Sequence, residues 1–302
     1  MDGRISNLAQ IAYVRRYTVN GGREDGLKVI EINNGVIRLL LNESKALDLM
    51  QLWHKGDNIS FISKNGFTKR EIPFLNRFEG GMIYTCGLDS VGGREGYELH
   101  GSFHNTPALV TECSCDENGI KVVAEMPVTS LFGSNLVMKR TITTDILGES
   151  VNLSDKLINK GTAPADYALL YHINVGYPML DEGVKIISDA ISVTPRNEWS
   201  KLNLNDRTVR KAPVVGQEET CYFIQNKTPI ISVINDKLGK KFEVNYSDDT
   251  LPYFVQWNSG ASQDYALGTE VSTTLLDDGF TYKTVDIGKS VNFNIKITVK
   301  EL

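Results

Sequence analysis

The sequence predicts an all-β protein built from large, packed antiparallel sheets, and three observations carry this reading. Apolar and polar residues alternate in on the order of a dozen short runs, as in half-buried strands. Turn residues such as Glu117-Asn118-Gly119, Asn159-Lys160-Gly161 and Asp277-Asp278-Gly279 separate those runs. No sustained stripe of 3.6-residue period competes with them.

Taken in order, the chain first offers one short helix between Ile5 and Tyr17, where Ile5, Leu8, Ile11 and Ala12 approximate a helical stripe ended by Asn20-Gly21-Gly22. KVIEI and VIRLLL then flank Asn33-Asn34-Gly35, the spacing of a β-hairpin. Runs follow at NISFIS, ALVTECS, IKVVAEM, LVMKRTITT, VNLSDKLIN, YALLYHINV and VKIISDAISV. After a polar segment from Asn203 to Arg210 they resume at CYFIQN, IISVIN, KFEVNY, PYFVQW and VNFNIKITV. So many strands exceed one small barrel and suit two large packed sheets. No Pro/Ser-rich linker or strong repeat divides residues 1–302, which read as a single domain. The stretch from Phe67 to Gly96 is least strand-like, and its glycines mark a long loop of the kind that carries function on a β scaffold.

Composition narrows the classes of partner. A chain of 302 residues, 41% hydrophobic and 23% charged, can bury a large core and is not disordered. With a net charge of −5 and no long basic run, nucleic acid is not an expected partner. No segment approaches the ~20 apolar residues of a membrane span. The opening MDGRISNLAQIAYVRRY lacks the uninterrupted apolar region of a secretory signal, so a cytoplasmic location is expected. Cys86, Cys113, Cys115 and Cys221 form no Cys-x-x-Cys pair and read as buried or half-buried thiols.

Chemistry concentrates in three motifs. ELHGSFHNTPA, from Glu98 to Ala108, places His100 and His104 beside Gly101; LLYHINVGYPML carries His172, followed by Asn174, Gly176 and Tyr177 as a polar surface suited to a sugar, with Asn174 a candidate substrate-binding residue; ALGTEVST carries Glu270 just after a glycine, in a segment read as a loop. The remaining histidine, His54 in LWHKGD, reads as structural. Trp257, near the end of the run preceding Glu270, suits a site wall, since an indole offers an apolar face and one polar edge.

Together with FEGGMIYTCGLDSVGG and FVQWNSGASQDYALGTEVST, these motifs resemble, in order and spacing, the aldose 1-epimerase or galactose mutarotase-like superfamily from about Gly26 onward. The resemblance implies a β-supersandwich with a carbohydrate site on one concave sheet face. It further implies His100 of Leu99-His100-Gly101 as a sugar-orienting residue, His172 as general acid and Glu270 as general base. Arg77 in NRFEGG is the best match for the family's sugar-contacting arginine. Ser102, Phe103 and then His104 stand where relatives often carry a basic residue, which makes His104 a further candidate for sugar recognition. Interconverting anomers requires one base at the anomeric hydroxyl and one acid at the ring oxygen, so neither metal nor cofactor is expected. Two other readings fit the same residues: a catalytically silent carbohydrate-binding module, and a metal-dependent sugar isomerase or lyase using His100, His104 and His172 as ligands.

Overall fold

The computed structural model describes residues 3–302, of which 49% is strand and 8% helix. The strands, numbered in chain order, form three antiparallel sheets. The first comprises β1 (Tyr13–Thr18), β2 (Lys28–Asn33), β3 (Ile37–Asn42), β4 (Asp48–His54) and β5 (Asp57–Asn58), each paired with the next. The second, eight-stranded sheet runs in space as β12 (Lys185–Ile187), β15 (Ile230–Asn235), β16 (Lys240–Tyr246), β20 (Ser290–Glu301), β10 (Ser150–Asn159), β9 (Asn135–Thr144), β8 (Gly119–Thr129) and β7 (Leu109–Asp116). The third runs β13 (Ala190–Pro195), β14 (Thr220–Asn226), β17 (Tyr253–Ser259), β18 (Ala266–Ser272), β11 (Ala165–Val175) and β19 (Lys283–Val285), with β6 (Ile83–Leu88) also paired to β11. Two helices, α1 (Phe74–Arg77) and α2 (Glu198–Leu202), are each little more than one turn.

Most of the expected runs are strands, and the departures have local causes. The predicted Ile5–Tyr17 helix is instead a 3-10 turn, Leu8–Gln10, followed by β1. Asn7 caps that turn, and Tyr13 to Thr18 then pair along β2, a ladder that a period of apolar residues cannot reveal. The KVIEI and VIRLLL hairpin forms as read, with the Asn34 side-chain oxygen accepting from the backbone N–H of Val36 at 2.9 Å and of Ile37 at 2.6 Å. NISFIS contributes only Asn58 to a ladder, as the last residue of β5, while Ser60 and Ile62 make single bridges to Val175 and Gly80. VKIISDAISV divides: Lys185–Ile187 joins the second sheet and Ala190–Pro195 the third. The turn between them is held by Asp189, whose carboxylate accepts from Thr228. The segment bearing Glu270 is a strand, β18, not a loop, and every residue of it is buried. LMQLWH and IYTCGL also prove to be strand.

Strand alternation places the core on one face of β11 and the site on the other. Leu169, Tyr171 and Ile173 enter the main core with the inward faces of the second sheet, whereas Ala168 and Leu170 join a smaller cluster with Tyr84, Cys86, Cys221 and Val255. His172 continues that second face.

Within the main core sits a buried charge cluster centred on Arg140 of β9. Its guanidinium donates to both carboxylate oxygens of Asp155 on β10 (Nη2 to Oδ2, 2.7 Å), to Asp48 on β4 (2.5 Å), to the Ala46 carbonyl (3.0 Å) and to the Thr85 hydroxyl on β6 (3.0 Å). Tyr171 of β11 donates to Asp155 at 2.7 Å, so all three sheets meet at one cation. Burial disfavours the charge of Arg140, but the carboxylates of Asp155 and Asp48 more than offset it and hold the guanidinium protonated. Arg140→Met is expected to strand two buried carboxylates and destabilise the protein by ~3–5 kcal/mol, read as a lower urea midpoint; a loss below ~1 kcal/mol would mean that apolar packing alone sets how the sheets meet.

Candidate active site

His172 and Glu270 face each other across neighbouring strands. The pairs Tyr171 with Val271 and Asn174 with Gly268 fix the β11/β18 register, which aligns His172 with Glu270, and His172 Nε2 lies 3.2 Å from Glu270 Oε1. The side chains are only 5% and 3% exposed, yet both line a cavity of about 660 Å³. Gly268 makes room for this geometry: a Cβ there would stand 2.6 Å from Glu270 Oε1 and 3.1 Å from Trp257 Cβ. Burial pushes the Glu270 carboxyl up to about 8, with Glu219 adding to the shift and Arg196 opposing it. Burial likewise pushes His172 down to about 3, reinforced by His100. In the neutral range the pair therefore holds one proton in common and little net charge.

His100 enters the same cavity from a different kind of element. Its φ of 66° is the left-handed region, and its backbone is pinned by N–H donation to Gly92 O at 3.0 Å and acceptance from Gly87 N at 3.1 Å. Gly101 follows at φ 75°, where a Cβ would lie 2.4 Å from Ser90 O, so the Leu-His-Gly motif is a backbone requirement as much as a chemical one. The imidazole meets His172 edge to face, ring centroids 5.5 Å apart, and packs on Phe74 at 5.1 Å. Burial lowers it to about 4, leaving a neutral ring whose Nδ1 has no hydrogen-bond partner among the described residues.

Trp257 forms a wall, its ring centroid 5.3 Å from that of His172 and its Nε1 donating to Glu219 at 2.7 Å. The opposite wall is apolar: Phe74, Leu75 and Phe78 come from α1 and its C-terminal end, inside the loop region singled out by its glycines. Arg196 also lines the cavity, gripped by Asp277 through two hydrogen bonds of 2.6 and 2.7 Å. Lys64 and Asp264 form an ion pair there. Arg196 and Glu219 carried no recognisable signal in the sequence. Phe74 and Phe78, four apart, were visible only as a short apolar spacing.

Three other expected sugar-binding residues lie away from the cavity. His104 sits in a 3-10 turn, Phe103–Asn105, because Gly101 breaks the extended backbone that would have put it on the side of His100. Its Nδ1 bonds Asp48 at 2.7 Å, its Nε2 lies 3.3 Å from Glu79, and its ring stacks on Tyr84 at 3.8 Å. The set of three histidines that metal ligation would need is therefore not brought together; among the described residues no three His, Cys, Asp or Glu side chains converge as a metal cluster. Arg77, 1% exposed, donates to the Tyr84 hydroxyl and to Asn105, both at 3.1 Å, and pairs with Glu98, so it ties α1 to the loop of His100. Asn174 is fully covered, its amide donating to Gly81 O at 3.1 Å and His172 O at 2.9 Å. His54 is buried against Lys240, and all four cysteines are free. Among the described residues no helix is long and apolar enough to cross a membrane.

The three antiparallel sheets have the galactose mutarotase-like fold, as similarity to solved structures shows. The chain belongs to the family described as a domain of unknown function, DUF4432, whose model matches residues 24–280. No curated protein matches it. Among solved structures it is similar to a Klebsiella pneumoniae protein provisionally named an aldose 1-epimerase (TM-score 0.85, 21% identity, 96% of this chain and 88% of that one). A galactose mutarotase-like protein from Clostridium acetobutylicum aligns at TM-score 0.74 and 12% identity over 97% of this chain and all of its own (100%). A Salmonella typhimurium protein provisionally named a mutarotase aligns at TM-score 0.70 and 13% identity over 99% and 96%. At these identities the likeness shows the fold.

His104 supplies a test of what the off-cavity residues do. Burial opposes its charge, but Glu79 and Asp48 overcome that and raise its pKa above the ordinary imidazole value. A raised value means stability that is complete below ~6.5 and is lost as pH rises through the folded pKa. The stability gap between wild type and His104→Gln, measured by urea unfolding, is expected to be widest below ~6.5 and to narrow at higher pH; a gap that widens with pH would show the imidazole to be buried neutral.

Proposed function

We propose that this protein binds a free sugar in the 660 Å³ cavity and interconverts its anomers by general acid-base catalysis. The observation that carries the reading is the buried His172 and Glu270 pair, 3.2 Å apart on the cavity lining. The mutarotase-like names of the structural neighbours support it, although those names concern proteins at most 21% identical to this one.

The proton inventory balances within the pair. Moving the shared proton from Glu270 to His172 yields a carboxylate and an imidazolium with no change in net charge. A sugar whose anomeric hydroxyl faces Glu270 and whose ring oxygen faces His172 replaces their mutual contact. Glu270 then takes the hydroxyl proton as C1 becomes a carbonyl, the bond from C1 to the ring oxygen breaks, and His172 gives its proton to that oxygen. After rotation about the bond from C1 to C2, the reverse transfers close the ring on the other face. His100, neutral and with a free ring nitrogen, orients a sugar hydroxyl, and Trp257 offers its face to the pyranose. Arg196 favours the ionised form of Glu270 and Glu219 disfavours it, which sets the base near neutrality.

Polarimetry or NMR exchange spectroscopy across a panel of aldoses checks this, with spontaneous mutarotation subtracted. Glu270→Gln and His172→Ala are each expected to slow anomerisation by at least ~10²-fold, and the double variant to lose much less than the product. His100→Ala is expected to weaken sugar binding by ~1–3 kcal/mol. Wild-type activity should fall as pH rises through about 8, where the pair loses its proton, and Glu270→Gln should lack that limb. A wild type no faster than background on every sugar it binds would leave a silent carbohydrate-binding module as the better account. A linkage measurement checks the carboxyl without turnover: because its pKa is raised, wild-type stability relative to Glu270→Gln should decline from the ordinary glutamate range up to about pH 8.

A further inference from the structure

A second pocket, of about 70 Å³, lies on the other face of the third sheet. Along β14 and β17 the register pairs Cys221 with Trp257 and Thr220 with Asn258. Cys221 and Trp257 point into the large cavity, whereas Thr220 and Asn258 point into the small one. Gln217, at the sheet's end, lines both.

Two arginines of this pocket have no carboxylate partner among the described residues. Arg210 is 8% exposed; Nη2 donates to the Ser259 carbonyl at 2.7 Å, the guanidinium lies 4.7 Å from the Tyr265 ring centroid, and the buried Nε has no hydrogen-bond partner. Arg207 lines the same space, and among the described residues its guanidinium makes neither a hydrogen bond nor an ion pair. Burial is the largest influence on both, half-buried Arg207 and buried Arg210, and lowers their pKa values against the opposing pull of Tyr222 and Tyr265, the reverse of Arg140 and Arg196, which are held by carboxylates. Of the acids at the rim, Asp206 is engaged by Lys211 at 2.6 Å and Glu218 is exposed. A desolvated guanidinium without a counter-charge costs free energy unless a ligand supplies one.

We propose that this pocket is an oxyanion site that takes a phosphate group, held by the forked donors of Arg207 and Arg210 with the Thr220 hydroxyl and Gln217 amide as neutral partners. Guanidinium forks match phosphate oxygens two at a time. At about 70 Å³ the pocket is far smaller than the 660 Å³ cavity on the opposite face and suits a compact anion. The inference is independent of the sugar reading, since it uses none of the residues of that cavity except the shared Gln217.

Calorimetric titration with inorganic phosphate, and separately with methyl phosphate, tests it at constant ionic strength set by chloride. Saturable one-to-one binding is expected, weakened at least tenfold by Arg207→Gln and by Arg210→Lys, and unchanged by Lys64→Gln in the large cavity. Arg207→Gln is the cleaner variant, because that side chain holds nothing in the protein and its loss leaves folding intact, as circular dichroism would verify. Binding of both ligands with the same arginine dependence identifies the phosphate group of a larger molecule as an acceptable occupant; binding of the inorganic ion alone identifies free phosphate. No saturable binding of either, binding indifferent to Arg207→Gln, or equal weakening by Lys64→Gln would overturn the proposal.

Discussion

One buried cation governs how the three sheets meet. Arg140 reaches β4 through Asp48, β10 through Asp155 and β6 through Thr85, while Tyr171 on β11 closes the set through Asp155. A guanidinium in apolar surroundings must have its donors satisfied, and only one mutual placement of these strands satisfies them. Asp48 serves twice, since its other oxygen holds His104 at 2.7 Å, which in turn stacks under Tyr84. Tyr84 pairs in register with His172 across β6 and β11. The arrangement of core charges is thereby connected to the position of the imidazole in the cavity.

The cavity itself owes its chemistry to desolvation. Glu270 and His172 are buried on adjacent strands without a full counter-charge, so each is pushed toward its neutral form and one proton suffices for both. Arg196 would hold Glu270 ionised if it stood free, but Asp277 grips it with two hydrogen bonds and limits that influence. Loops at the rim are fastened by similar means. Arg77 joins α1 to Glu98 and Asn105, and Arg94 donates to Tyr282 at 2.7 Å while lying 4.0 Å from the Phe280 ring centroid. The left-handed His100 therefore sits in a braced loop, which offsets the cost of its backbone conformation.

Two sets of arginines differ in what they face. Arg140, Arg77 and Arg196 are matched to carboxylates and act as fasteners. Arg207 and Arg210 lack such a match among the described residues and share a pocket far smaller than the main cavity. The two faces of one sheet thus present different chemistry, a proton-sharing neutral pair from β11 and β18 on one and, on the other, two unmatched arginines from the segment before β14; alternate residues of β14 and β17 contribute Cys221 and Trp257 to the first and Thr220 and Asn258 to the second.

The sequence by itself determined the all-β class, most strand positions, and the histidines and carboxylate that the fold brings together. Those follow from local rules: alternation of period two, turn residues between runs, and a Leu-His-Gly segment whose glycine has a backbone reason to be there. Tertiary structure decided what local rules leave open. The Ile5–Tyr17 stripe gave way to β1 because a partner strand was available, and VKIISDAISV split between two sheets at Asp189. His104, Arg77 and Asn174 carry the same side chains as sugar-binding residues do, but Asp48 engages the His104 ring, Tyr84 and Glu98 the Arg77 guanidinium, and the Gly81 and His172 carbonyls the Asn174 amide nitrogen, and none of the three lines the cavity. Arg196 and Glu219 reach the cavity only through the pairing of distant strands and the loops beside them. A side chain's chemical type is written in the sequence; whether its polar atoms are satisfied inside the protein or left for a ligand depends on neighbours that only the folded chain supplies.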